Sequence, residues 1–444
     1  MSMDGLRDRM DEITLSMTRL LKERTDIARE IGRLKSGAGI PVSDESREDD
    51  LRQKVAALCG EIGLDRSAAA RHLNFLLNES VGVQSEGRQT HLSIFRRAKE
   101  MEAAGKRIIH MEVGELDLGP PEEASAALAG ACDAGYARYG GPAGRPELRR
   151  AIADALPGRD PEGIMVCPGA RFAVYAAVTS LLDPGDEVIT IEPAWPAYRD
   201  CAAHAGAKVR AVQTDIRDGW IPDPGKIEEA AGPDTRMIIL NYPNNPTGAE
   251  LPQDVMDGIM GIAKKWDMYV LSDEVYAAYS RNHRGIPPGY KKGITVQSLS
   301  KSHAMTGFRI GYAAADPGII RKMSQVAALC ITSVPEPIQY AAIAALGADT
   351  SGMAGAVRSR LGVLEAEASR IGLEFAPAPG SMYLFARTGR DGTRLAEEAL
   401  AEGLAVAPGE GFGPYPDYVR LSACRDEKTL MDGMNILGRL VGRA

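Results

Sequence analysis

The segment Ser298-Leu299-Ser300-Lys301-Ser302-His303-Ala304-Met305-Thr306-Gly307-Phe308-Arg309-Ile310-Gly311 places one lysine among two hydroxyls and an arginine. The apolar run in front of it, residues 294–299, reads as a strand, so Lys301 is expected just past a strand end. An amine beside an anion cradle of Ser298, Ser300 and Arg309 suits Schiff-base chemistry next to a bound phosphate. Upstream lie two more short β-type runs, residues 236–240 and 268–271. The first opens into Asn241-Tyr242-Pro243-Asn244-Asn245-Pro246-Thr247-Gly248, a turn dense in Pro, Asn and Gly. The second ends at Ser272-Asp273-Glu274-Val275-Tyr276. Three strand ends therefore offer an amide, a carboxylate with a phenol, and an amine. Ligands of open α/β sheets sit outside the carboxyl ends of the strands, so these groups are expected to converge.

Taken singly, each residue has an ordinary explanation: a lysine after a strand is usually solvated, and most tryptophans are core. Their order along the chain is more specific. It resembles the fold-type I, pyridoxal-phosphate-dependent aminotransferases of class I, which include the aspartate, aromatic and prephenate aminotransferases. The resemblance runs from about residue 90 to the end. It implies an α/β fold with a large mixed-sheet domain, about residues 125–345, and a smaller α+β domain from about residues 90–124 and 346–444. It also implies pyridoxal 5'-phosphate as cofactor, with Lys301 as its covalent anchor and as the proton shuttle at the substrate α-carbon. Asp273 would hold the pyridine nitrogen protonated, and a cationic ring is the better electron sink. Asn245 and Tyr276 match the ligands of the ring oxygen, and Ser298, Ser300 and Arg309 match those of the phosphate.

Further matches extend the list. In Val166-Cys167-Pro168-Gly169-Ala170-Arg171 a strand gives way to an Ala-rich helix, so Gly169, Ala170 and Arg171 can present free N–H groups to a phosphate. Trp195, in Glu192-Pro193-Ala194-Trp195-Pro196-Ala197-Tyr198, matches the aromatic residue stacked on the pyridine face. Arg420, in Tyr418-Val419-Arg420-Leu421-Ser422, matches the arginine that grips the substrate α-carboxylate with a two-pronged hydrogen bond. Gly114 matches the glycine whose backbone approaches that carboxylate, in a loop where Leu116 and Leu118 replace the family's usual Pro and Phe. Tyr139, just before Gly140-Gly141-Pro142-Ala143-Gly144-Arg145, matches the tyrosine that reaches the neighbouring subunit's phosphate, which implies a homodimer. No residue stands out as the ligand of a second substrate carboxylate; Arg88 is the nearest candidate.

The first 84 residues follow a different rule. Leu6, Met10, Ile13, Met17, Leu20, Ile27, Ile31 and Leu34 alternate at spacings of three and four, with Arg24 in the one vacant slot. A long helix with an arginine in its apolar seam is expected, and a buried guanidinium calls for a counter-anion. Asp44 and Arg47 fall on the face continued by Leu51, Val55, Leu58 and Ile62, with Glu48 beside them. Ser80 and Gln84 continue the stripe of Leu73 and Leu77. Polar groups at inward positions on three helices resemble the all-helical, AroQ-type chorismate mutases, from about Leu6 to Gln84. That resemblance implies a site of Arg24, Lys35, Asp44, Arg47, Glu48, Ser80 and Gln84, completed by Arg7 from a partner chain. Chorismate rearranges to prephenate in one concerted step, so such a site needs no nucleophile or metal. It holds a compact conformer and places cations and donors where charge develops.

Composition agrees with two domains, residues 1–85 and 90–444 joined by a polar linker at 86–89. The chain has 444 residues, 44% of them hydrophobic, and a net charge of -8 that gives no reason to expect nucleic acid. A helical DNA-binding head fused to an aminotransferase-like effector domain would be basic. Residues 1–85 instead carry 13 Lys/Arg against 15 Asp/Glu. A head acting only in dimerisation or feedback, joined to an aspartate aminotransferase, is the other alternative. Six cysteines, at 59, 132, 167, 201, 330 and 424, lack metal or redox spacing, so a reduced, cytoplasmic protein is expected, with no metal. No apolar run approaches a membrane span. The fusion points to a bifunctional enzyme of aromatic amino-acid synthesis. Prephenate is the adjacent amino acceptor, phenylpyruvate, 4-hydroxyphenylpyruvate and oxaloacetate are alternatives, and glutamate or aspartate is the donor.

Overall fold

A computed structural model describes residues 2–37, 44–84, 91–156, 158–287 and 289–442. It divides into two units, Met1–Arg88 and Gln89–Ala444. Arg88 and the linker expected at 86–89 lie outside the described residues.

The first unit is three helices: α1 (Met3–Gly37), α2 (Glu45–Ile62) and α3 (Arg66–Gln84). Asp44 caps α2 by accepting from the Arg47 amide at 3.0 Å, and Gly63 ends it with a left-handed φ of 69°. Leu73 and Leu77 of α3 are buried, as their stripe predicts, together with Ala28 and Cys59. The expected seam of α1 is not what α3 covers. Leu6, Met10, Ile13, Met17, Leu20, Ile27, Ile31 and Leu34 are all exposed in the single chain. The face turned to α3 carries Ala28 and Gly32, and Arg24 sits with them. A Cβ on Gly32 would stand 2.8 Å from Gln84 Cα, so the close approach of the two helices depends on that glycine. On α2 the expected face also turns out differently: Leu58 and Ile62 are exposed, and Cys59 is the buried residue.

The second unit opens with helix His91–Ala103 and strand β1 (Ile109–His110). Seven strands follow: β2 (Ile164–Cys167), β3 (Glu187–Glu192), β4 (Lys208–Gln213), β5 (Thr235–Asn241), β6 (Tyr269–Asp273), β7 (Gly293–Ser298) and β8 (Gly311–Ala314). They form one sheet in the order β2-β8-β7-β6-β5-β3-β4, with β8 antiparallel to both neighbours and the remaining pairs parallel. Helices cover both faces, which is why the central strands read as near-continuous apolar runs. Alternate residues feed separate cores, Val188 and Ile239 on one side and Ile189 and Ile238 on the other.

Five short strands complete the fold: β9 (Glu374–Phe375), β10 (Tyr383–Arg387), β11 (Leu404–Ala405), β12 (Ala407–Pro408) and β13 (Tyr418–Ser422). An antiparallel sheet β12-β13-β10-β9 and a parallel pair β1-β11 pack with helices 91–103, 351–370, 392–401 and 427–441 around a core that includes Ile94, Leu361, Leu395, Leu421 and Leu430. Among the described residues no helix is long and apolar enough to cross a membrane.

Candidate active sites

Strand register decides the centre of the larger site. Asn241 pairs with Asp273 across β5 and β6, and Asp273 with Val296 across β6 and β7. The strands that end at Asn241, Asp273 and Ser298 therefore finish side by side, and a cavity of about 320 Å³ opens beyond them. Into it face Gly114, Ala170, Arg171, Trp195, Asn245, Asp273, Tyr276, Ser298, Ser300, Lys301, Arg309 and Arg420. Twelve of the positions singled out from the sequence thus share one space. Gly169 lies beside it: a Cβ there would meet Arg309 Nη2 at 2.7 Å, and its φ of 87° already favours glycine. Tyr139 does not line the cavity and is 89% exposed in the single chain.

The phosphate end is assembled by capping. Ser298 ends β7 and caps the turn that follows, accepting from the Ser300 amide at 3.0 Å. Its Oγ also stands 2.8 Å from Ser300 Oγ and 2.9 Å from the Ile310 carbonyl. Gly311 admits no side chain, since a Cβ would approach the Ala170 nitrogen to 2.9 Å. Helix Ala170–Leu181 consequently aims its first amides at the space that Arg309 borders.

At the other end Asp273 is fully buried. Burial pushes its carboxyl up to about 6, against the pull of a hydrogen bond from Tyr198 and of the Lys301 ammonium. Tyr198 donates to Oδ2 at 2.7 Å, while Oδ1 receives only the Val275 amide at 3.4 Å. A carboxylate in this position is short of a cationic partner. Lys301 Nζ lies 2.5 Å from the Gly114 carbonyl, and Tyr279 fixes the lysine's own carbonyl at 2.7 Å. Arg420 stands 4.2 Å over the Tyr383 ring and 4.9 Å from Phe412. It donates to Asn245 Oδ1 at 2.8 Å and to the Glu112 carbonyl, and its Nε has no partner among the described residues. In the loop after Gly114, Leu116 is buried against Val275 and Tyr276, and Asp117 pairs with Arg360 at 2.7 Å.

Sequence reasoning missed Tyr198 and Tyr383. Tyr198 closes the quoted tryptophan motif, but its bond to Asp273 spans 75 residues. Tyr383 meets the Tyr276 hydroxyl at 3.2 Å across 107 residues and carried no local signal. These residues suit a phosphorylated aromatic cofactor. An anion cradle, a buried carboxylate, a flanking indole 4.7 Å from the Arg171 guanidinium and an amine occur in one cavity.

In the helical unit, Arg24 reaches across to α3 and donates to the Leu76 carbonyl and the Ser80 hydroxyl. Its partners are neutral acceptors in place of the expected counter-anion, and burial lowers its pKa. Gln84 continues the same face, and its Oε1 is buried without a partner among the described residues. Lys35 and Glu48 are half-buried, whereas Asp44 and Arg47 are exposed at the start of α2. Arg7 is exposed and pairs with Asp4 at 3.4 Å.

Comparison with known proteins follows the same division. Residues 106–436 match the family described as aminotransferase class I and II, and residues 6–85 match chorismate mutase type II. The chain is 32% identical over 379 residues to the aspartate/prephenate aminotransferase of Thermus thermophilus, covering 82% of this chain and 98% of that one. It is 30% identical to the aspartate aminotransferase of Thermotoga maritima, covering 76% and 93%. Among solved structures, the Thermus thermophilus aspartate aminotransferase with maleate gives a TM-score of 0.76 at 32% identity, over 79% of this chain and 96% of that one. An aromatic aminotransferase from Pyrococcus horikoshii gives 0.71 at 30% identity, over 78% and 99%.

Proposed function

The chain belongs to the class I and II aminotransferases, and from that premise we propose that it is a bifunctional enzyme of aromatic amino-acid synthesis. Residues 1–85 rearrange chorismate to prephenate, and residues 90–444 transaminate prephenate or an aromatic 2-oxo acid with glutamate or aspartate. The observation that carries the second activity is the meeting of Lys301, Asp273, Asn245, Arg309 and Arg420 in one cavity. The fusion itself, together with the name of the Thermus relative, favours prephenate as acceptor.

Pyridoxal phosphate, held by Ser298, Ser300, Arg309 and the amides after Gly169, supplies an electron sink for the pair released when the substrate α-proton leaves. Lys301 would anchor it through Nζ until the substrate amine displaces that nitrogen, and the lysine amine so freed would take the proton. Asp273 would hold a proton on the ring nitrogen, Asn245 and Tyr276 would bind the ring oxygen, and Trp195 would cover one face. The Arg420 guanidinium would bind the α-carboxylate with a two-pronged hydrogen bond. In the helical unit Arg24 and Arg47 hold the carboxylates of chorismate, Lys35 and Gln84 donate to its ether oxygen, and Glu48 takes its hydroxyl. Asp44 and Ser80 support that set.

A second copy of the chain is part of this reading. A rise of about 1.5 Å per residue separates Arg7 from Arg24 by about 25 Å along α1, so Arg7 can serve only another chain's site. The exposed apolar seam of α1 offers the surface for that partner, and Tyr139 would enter the partner's phosphate site. We place the enzyme in the cytoplasm on its six unpaired cysteines.

Two variants test the division. Lys301→Ala should abolish transamination and the absorbance of the bound cofactor while prephenate formation persists. Arg24→Ala should do the reverse, and loss of both activities in either variant would refute the assignment. Steady-state comparison of prephenate, 4-hydroxyphenylpyruvate and oxaloacetate identifies the acceptor, with the highest kcat/KM expected for prephenate.

A further inference from the structure

Arg420 is aimed by two acceptors. One, Asn245 Oδ1, is set by the turn after β5. The other is the Glu112 carbonyl, in a segment tied to β13 by Ser422, whose amide donates to the Met111 carbonyl at 2.9 Å and whose hydroxyl donates to the Val113 carbonyl at 2.9 Å. The Glu112 side chain is wholly buried and borders the substrate cavity. Its Oε1 lies 2.8 Å from His110 Nδ1, and its Oε2 has no partner among the described residues. His110 Nε2 stands 3.1 Å from Glu102 Oε1 on helix 91–103. A buried carboxyl next to a substrate-carboxylate site costs stability unless something fixes and balances it. Here the imidazole does both.

We propose that His110 and Glu112 are positioning residues for transamination, fixing the Glu112 carbonyl and through it the angle at which Arg420 meets the substrate α-carboxylate. This rests on Arg420 being the carboxylate ligand. The charged groups that face His110 are Glu112 from its own segment and Glu102 from helix 91–103, with Lys99 2.9 Å behind Glu102 and the Phe95 ring alongside. The hydrogen bond to Glu112 raises the His110 pKa, and Glu102 adds to it. Below that pKa the imidazolium faces both carboxylates; as pH rises through it the charge and the attraction to Glu102 are lost and the brace weakens, while a neutral imidazole still donates from Nδ1 to Glu112.

The test uses the full-length holoenzyme. Glu112→Ala should raise KM about tenfold for the amino donor and the 2-oxo acid alike, because both carry the carboxylate. Its kcat and cofactor affinity should stay within about twofold of wild type. Glu112→Gln, which keeps an acceptor for His110, should recover most of the loss. Unchanged KM, or kcat, cofactor affinity and melting temperature falling together with no recovery in Glu112→Gln, overturns the inference. A second measurement survives poor folding of those variants. In wild type, KM should climb on the alkaline side, and Glu102→Gln, at a half-exposed site, should move that limb to lower pH; an unmoved limb counts against the brace. Arg420→Ala is the reference, since unchanged KM there would dismiss Arg420 as the carboxylate ligand and leave the brace without its object.

Discussion

Asp273 shows at the residue scale how function and stability oppose each other. Its carboxyl, ordinarily near 3.8, is pushed up to about 6 by burial, so the ionised form is disfavoured in the folded protein. The sign follows from linkage: the penalty is absent below about pH 4, grows between about 4 and 6, and is constant above. Asp273→Asn should therefore stabilise the cofactor-free protein at pH 8 by on the order of 3 kcal/mol, yet change it little at pH 4. Thermal melts at the two pH values would check this, and equal shifts at both would contradict it. The same variant should lose transamination, because an amide cannot hold the ring nitrogen protonated. Asp273 was legible in the sequence because it sits at a strand end within an ordered set of motifs. Tyr198, which donates to it, was quoted in its motif but given no role, since nothing local marks a hydroxyl that meets its acceptor 75 residues away.

At the scale of elements, the α1–α3 contact is set by the smallest side chain in it. Gly32 leaves no room for a Cβ against Gln84, so Gly32→Val must push the helices apart and draw Arg24 away from Ser80. Prephenate formation should fall at least tenfold while transamination is unaffected, read by assaying both reactions on one preparation. The heptad-like spacing on α1 marked an apolar stripe correctly but not its occupant. Periodicity reports that apolar residues share one face, not what covers that face, and a 35-residue helix has more faces than a shorter partner can cover. The narrow face with Ala28 and Gly32 went to α3, and the wide one stayed exposed in the single chain.

At the scale of the whole molecule, the separation of Arg7 from Arg24 turns a helix length into a statement about assembly. On the proposed dimer, in which Arg7 completes the partner's site, mixing Arg7→Ala with Arg24→Ala chains, each expected to be inactive as a mutase, should restore about a quarter of wild-type activity, because half the dimers would be mixed and each would hold one intact site. No recovery after subunit exchange would show that Arg7 does not act in the partner's site. The sequence by itself determined the kinds of chemistry present, because strand ends, caps and glycine turns are local. Lys301, Asp273 and Asn245 stand at such strand ends and turns and the polar positions on the three helices interrupt apolar stripes, whereas Trp195 and Arg420 were marked by the resemblance to the aminotransferases. Only the tertiary structure decided which groups touch: that Tyr198 donates to Asp273, that Tyr383 underlies Arg420, that Arg24 meets neutral acceptors, and that Glu112 meets Arg420 through its carbonyl and His110 through its carboxyl. Those pairings depend on strand register and helix rotation, which long-range burial fixes and no short window of sequence encodes.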